Sequence, residues 1–129
     1  MFTLKQIKEA HSKVKSGADF PRYVQDLIKL GITSYEIHVT DGHAEYKGKN
    51  DYKIFSEPEH ALLPIAEKSH PEQLKSDLKM HQQGKTDYPT FCQDCAQAGI
   101  EKWAVNTEKM TCTYFEKAGN EILVERIPS

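Results

Sequence analysis

The eight residues Asp19-Phe20-Pro21-Arg22-Tyr23-Val24-Gln25-Asp26 return as Asp87-Tyr88-Pro89-Thr90-Phe91-Cys92-Gln93-Asp94. The offset, from 19 to 87, is 68 positions, and it persists without a gap. Gly31-Ile32 returns as Gly99-Ile100, Tyr35 as Trp103, Ile37 as Val105 and Tyr46 as Tyr114. Upstream, with a slip of one residue, Gln6-Ile7 matches Gln73-Leu74 and Gly17 matches Gly84. A match this long reads as a tandem duplication, and a repeat decides architecture before any local propensity does. The expected organisation is a single domain, residues 1–129, made of two repeats (about 1–56 and 70–129) joined by a linker, 57–69. A chain of 129 residues suits one domain and is short for two.

Each half is read once and checked against its copy. Thr3 and Gln6 have capping-box spacing. Leu4, Ile7, His11 and Val14 follow as an apolar stripe on one helix face, and Gly17 is expected to end that helix. Leu74, Leu78, His81 and Gly84 repeat the arrangement. A second helix begins near Pro21, whose fixed φ suits a first turn, with Asp19 placed to accept free backbone N–H groups; Gly31 stops it. Pro89 and Gly99 do the same in the copy. Ser34–Thr40 alternates, Asp41-Gly42 signals a two-residue turn, and His43–Lys47 returns. In that register His38 faces Glu45, Ile37 faces Tyr46 and Val39 faces Ala44. Tyr35, Ile37, Val39, Ala44 and Tyr46 then share an inner face, while Glu36, His38, Thr40, His43, Glu45 and Lys47 share a wet one. The copy keeps Trp103, Val105, Cys112 and Tyr114 inside, with its turn near Glu108-Lys109. A third strand closes each half, over 52–55 and 121–127. The fold expected is α+β: a duplicated helix-helix-three-strand unit, its antiparallel sheet carrying helices on one face. The linker is expected to hold a short helix that Pro64 bends or ends. As the one element without a copy, it is placed to close over something.

Composition narrows the function classes. Lys plus Arg number 17 and Asp plus Glu 19, a net charge of −2, which disfavours a nucleic-acid binder. No apolar run reaches the ~18–20 residues of a membrane helix. Residues 1–10 lack the apolar core of a secretion signal, and an odd three cysteines argue against a disulfide framework. A cytoplasmic protein is expected.

The chemistry-bearing residues are few. Cys92-Gln93-Asp94-Cys95 is a CxxC, and with Cys112 and a histidine it would make a zinc site; as a redox motif it would need a depressed thiol pKa. The duplication favours a third reading, because Cys92, Cys95 and Cys112 match Val24, Leu27 and Ala44. Packing is preferred, and metal is the minority reading. Glu36, His38, His43 and Glu45 cluster on the wet face of the first hairpin and are the candidate ligand- or partner-binding residues. An imidazole beside a carboxylate can serve acid–base chemistry or a metal. The counterparts of His38, His43 and Glu45 are Asn106, Thr111 and Thr113, which carry no such chemistry, and a solvated surface is the blander alternative. Gln25-Asp26 and Gln93-Asp94, shared by both halves, are expected to bond adjacent loop backbone. No phosphate-loop, nucleophile-elbow or zincin motif is present.

Four stretches carry a resemblance: Gly31-Ile32-Thr33-Ser34-Tyr35-Glu36-Ile37, then Asp41-Gly42 with Tyr46, then Phe91-Cys92 through Trp103, and the ending 121–128. On these the chain resembles the uncharacterised enterobacterial prophage-associated family that includes YdfO and YbcV, some of whose members carry the label phage envelope protein. The resemblance implies a small bacterial protein of prophage ancestry and assigns no activity to any residue. Three functional expectations follow. The first is a non-enzymatic binding module without a cofactor, taking a small ligand in a groove between the halves, or a host or phage protein on the open sheet. The second is a small enzyme using His38 with Glu45 or Glu36, which requires those side chains to converge in a cleft. The third is a homodimeric phage structural component.

Overall fold

The Thr3–Gln6 pair closes the capping box that its spacing predicts. The Gln6 backbone N–H donates to Thr3 Oγ1 at 3.3 Å and the Thr3 N–H to Gln6 Oε1 at 2.9 Å. The structure is a computed structural model and describes residues 1–15 and 17–128. The helix so opened, α1, covers Leu4–His11 and ends well before Gly17. Gly17 instead sits buried in a 3-10 turn, Gly17–Asp19. A Cβ there would collide with the backbone carbonyl of His81, so close approach rather than helix termination selects glycine. Helix α2 spans Phe20–Leu30, with Pro21 in its first turn and Gly31 at φ 98°. Asp19 makes no side-chain cap to it; its Oδ2 accepts from the Lys15 N–H at 2.9 Å. Helix α3 spans Pro71–Gln82 and is followed by left-handed Gly84. Helix α4 spans Tyr88–Gln97, and here Asp87 does cap, accepting from the Thr90 N–H at 2.9 Å.

Six strands follow the helices in two groups: β1 Ile32–His38, β2 Ala44–Gly48 and β3 Lys53–Phe55, then β4 Ile100–Asn106, β5 Thr111–Glu116 and β6 Glu121–Arg126. They form one antiparallel sheet in the order β3-β2-β1-β4-β5-β6. The halves meet edge to edge, with Tyr35 opposite Val105 and Ile37 opposite Trp103. This α+β architecture, four helices and a six-stranded antiparallel sheet, is the expected fold class.

The first hairpin departs from the expected register. Tyr35 pairs with Tyr46, Glu36 with Glu45, and Ile37 with Ala44. Glu45 therefore opposes Glu36, not His38. The turn is longer than two residues because the Gly42 N–H reaches back to the His38 carbonyl at 2.7 Å, and Asp41 Oδ1 accepts from the His43 N–H at 3.0 Å. Long-range bonds hold the loop open: Val39 donates to the Glu101 carbonyl, and Glu59, His60 and Leu63 donate to the Asp41 and Thr40 carbonyls. A slip of two residues preserves the faces, since side chains alternate with period two. The second hairpin turns around Glu108-Lys109 as expected, with Asn106 opposite Thr111. Residues 57–69 contain no helix; they run as a strap from the loop after β1 to the end of α4, where Ala66 and His70 donate to the carbonyls of Ala96 and Ala98.

Register defines the inner face. One row reads Ile54, Tyr46, Tyr35, Val105, Cys112, Glu125, and the next reads Ala44, Ile37, Trp103, Tyr114, Leu123. Val24 and Leu27 of α2 and Cys92 and Cys95 of α4 are wholly buried in the same core as these rows. Burial of a side chain the size of Leu27 contributes about 1.5–3 kcal/mol.

Candidate functional site

The CxxC lies on α4, and both thiols point into the core. Cys92, Cys95 and Cys112 are free and buried. Burial pushes Cys92 up to about 11 and Cys112 up to about 12, and it raises Cys95 well above the ordinary thiol range. Reactive thiols are depressed, not raised. The geometry does not gather the three sulfurs into a metal-competent group: among the described residues, that description fits Glu36, His38 and Glu45. The cysteines occupy the places of small apolar side chains, as the comparison with Val24, Leu27 and Ala44 suggests.

All four candidate polar residues fall on the outer sheet face. Glu36 and Glu45 are direct cross-strand neighbours, and His38 lies two residues beyond Glu36 on the same face. The His38 and His43 rings stack at 4.2 Å, and His43 Nδ1 lies 2.5 Å from Asp41 Oδ1. Lys102 reaches Glu36 at 3.3 Å; Lys53 reaches Glu45 at 3.1 Å. Burial opposes ionisation of Glu45, but Lys53 outweighs it and holds the carboxyl below its usual range. Burial, and then His43, lower the His38 pKa. The structure thus brings Glu36, His38 and Glu45 together, but on an open sheet face and not in a cleft.

The cleft is on the other side. A cavity of about 1020 Å³ lies between the inner sheet face and the helices. Its floor is a band of aromatic rings from both halves: Tyr35 and Tyr46 at 5.5 Å, Trp103 and Tyr114 at 6.2 Å. Tyr23 of α2 and Tyr88 and Phe91 of α4 supply the opposite wall, with Phe91 5.5 Å and Tyr88 6.3 Å from Trp103. Burial raises the pKa of each of these five tyrosines, so all present neutral hydroxyls. His81, stacked on Phe91 at 4.4 Å, also lines the cavity, and burial lowers its pKa. Ser56, Glu59, His60 and Leu63 extend the lining from β3 into the strap. His60 Nδ1 lies 2.8 Å from the Ala61 carbonyl, while its Nε2 is buried with no partner among the described residues. A buried polar atom left unpaired costs about 1–3 kcal/mol.

The sequence puts Tyr35 and Trp103 on the inner face and leads to the expectation of a groove between the halves; the cavity lies between that face and the helices. The available signal was the doubled set of aromatics, Phe20 with Tyr88, Tyr23 with Phe91, Tyr35 with Trp103 and Tyr46 with Tyr114. Gln25, Asp26, Gln93 and Asp94 make no side-chain hydrogen bond among the described residues, so the expected backbone-bonding role is not met; Gln93 lines the cleft. Among the described residues, no helix is long and apolar enough to cross a membrane.

No curated protein matches the chain. A family model described as a protein of unknown function, DUF1398, matches residues 8–126. With nearly its whole length covered, including all six strands, the chain belongs to the DUF1398 family.

Proposed function

We propose that the protein is a binding module for a small, flat and largely apolar molecule, held between the aromatic floor of the sheet and the helices. One observation carries the reading: a cavity of about 1020 Å³ walled by rings from both halves. Ligand sites typically occupy ~300–1,000 Å³, lined by apolar and aromatic side chains with a few placed polar groups. The rings offer stacking surfaces, and the unpaired Nε2 of His60 offers one polar handle. The duplication explains the symmetric lining, since each half contributes the same aromatic positions and the strap 57–69 is the added wall. The enzyme reading is weaker, because His38 and Glu45 stand on the face away from the cleft. The stretches that resemble the YdfO and YbcV family support a small bacterial protein of prophage ancestry, and the odd count of three cysteines supports a cytoplasmic setting.

Trp103 is the single tryptophan and lines the cleft, so it reports occupancy directly. Titration with the neutral fluorophore N-phenyl-1-naphthylamine should quench Trp103 saturably at one probe per chain. Ala44→Leu, which fills the floor from a buried position, should weaken that binding while far-UV circular dichroism is unchanged. A non-saturating response, or one indifferent to Ala44→Leu, would overturn the reading.

A further inference from the structure

The outer face of the first hairpin carries a second constellation, independent of the cleft. Antiparallel register sets Glu36 directly opposite Glu45, an arrangement of like charges that destabilises a sheet unless something cationic lies between or beside them. Strand alternation returns His38 to the same face. One donor atom from each of the three residues lies within 4.8 Å of the others, and all three side chains are half-buried. The ring nitrogens of His38 make no hydrogen bond among the described residues, so its donor is uncommitted. Its ring plane is nevertheless fixed, because it stacks on His43, which Asp41 holds in turn. Metal-bound histidines usually donate their second ring N–H to an outer partner; here the stack on His43 holds the ring and leaves both nitrogens open.

We propose that Glu36, His38 and Glu45 form a site for one divalent transition-metal ion of the zinc class. An imidazole and two carboxylates suit Zn²⁺, Co²⁺ or Mn²⁺ rather than the soft ions that thiolates select. Such ligands lie about 2.0–2.2 Å from zinc, so closing a triangle of donors within 4.8 Å of one another needs movements of roughly an ångström. The remaining coordination positions face solvent. The lysines now supply the counter-charge: Lys102 to Glu36, and Lys53 at 3.1 Å and Lys47 at 3.9 Å to Glu45. A metal ion would displace them. The related positions of the second half, Ala104, Asn106 and Thr113, offer no equivalent donor set, so the stoichiometry is one ion per chain.

The test uses the untagged, metal-stripped full chain, titrated with Co²⁺ by visible absorption and then competed with Zn²⁺. One ion should bind with weak ligand-field bands and no thiolate charge-transfer band. His38→Ala and Glu45→Gln should each weaken binding about tenfold or more. Lys102→Met should tighten it, because a competing ammonium is removed. Thermal melts of the metal-free variants establish that each is folded. No binding up to millimolar metal overturns the proposal. So does binding unchanged in folded His38→Ala, or a thiolate band that moves the ion to the cysteines.

Discussion

Replacing Gly31 and Gly99 separately by alanine measures how firmly the linker is seated on the fold. The two glycines are 68 positions apart and hold matching left-handed conformations, φ 98° and 82°, each just after a helix. Their surroundings differ. A Cβ on Gly31 meets nothing within 4 Å, whereas one on Gly99 would lie 2.5 Å from the Lys68 carbonyl oxygen and 2.8 Å from Ser69 Cα. Gly31→Ala therefore bears the left-handed penalty alone, about 1–2 kcal/mol, partly offset by about 0.4–1 kcal/mol from a less flexible unfolded chain. A net of about 1 kcal/mol remains. Gly99→Ala adds a backbone collision of the kind that costs about 1–3 kcal/mol, for a total of about 2–4 kcal/mol. Unfolding entropy near 2.1 cal/mol/K per residue makes each kcal/mol worth roughly 4 °C in a chain of this length. Differential scanning calorimetry should show Tm lowered by about 4 °C for Gly31→Ala and about 8–16 °C for Gly99→Ala. Equal shifts would refute the packing of residues 68–69 against the turn after α4.

Further predictions follow from other contacts. Thr107 is buried and its hydroxyl lies 2.8 Å and 2.9 Å from the Ile32 and Thr33 carbonyls, so it ties the loop after β4 to β1; Thr107→Val should cost about 1–2 kcal/mol in urea unfolding. The three thiols should resist Ellman's reagent in the native state and react together on denaturation, because each is buried with a raised pKa. His81 has a pKa lowered chiefly by burial, with Thr86, Asp87 and Asp94 acting in the opposite sense. The unfolded imidazole then takes protons near pH 6.5 that the folded one refuses, so this part of the stability is intact above the unfolded pKa and is lost as pH falls through the folded value. His81→Gln should flatten the decline in Tm between pH 7 and pH 5; an unchanged slope would exclude His81 as its source.

The elements were legible where local chemistry determines them. Thr3 with Gln6, Pro21, Pro89, Gly31 and Gly99 marked helix ends because caps and left-handed residues act within one turn. Gly17 misled because its glycine answers to His81, distant in sequence, and Asp41-Gly42 misled because the strap and β4 hold that loop open. Faces survived the register error, since a slip of two returns each side chain to its side. The β1–β4 pairing had no local signature, as edge pairing is set by backbone groups that every residue carries. Glu36, His38, His43 and Glu45 were found as a cluster, but Glu36 meeting Glu45 needed the true register. The cleft depends on how far the helices stand from the sheet, a sum over many side-chain volumes that no periodicity encodes. Its aromatic residues could be placed on the inner face, and nothing in their spacing distinguished a filled core from a lined cavity.

The central claim, that both halves jointly enclose a ligand, is tested most directly by NMR with N-phenyl-1-naphthylamine bound to the isotope-labelled chain. The single Trp103 indole resonance should shift saturably, with intermolecular NOEs from the probe to Tyr35 and Tyr46 of the first half and to Trp103 and Tyr114 of the second. NOEs confined to one half, or to the outer face around His38 and His43, would contradict it.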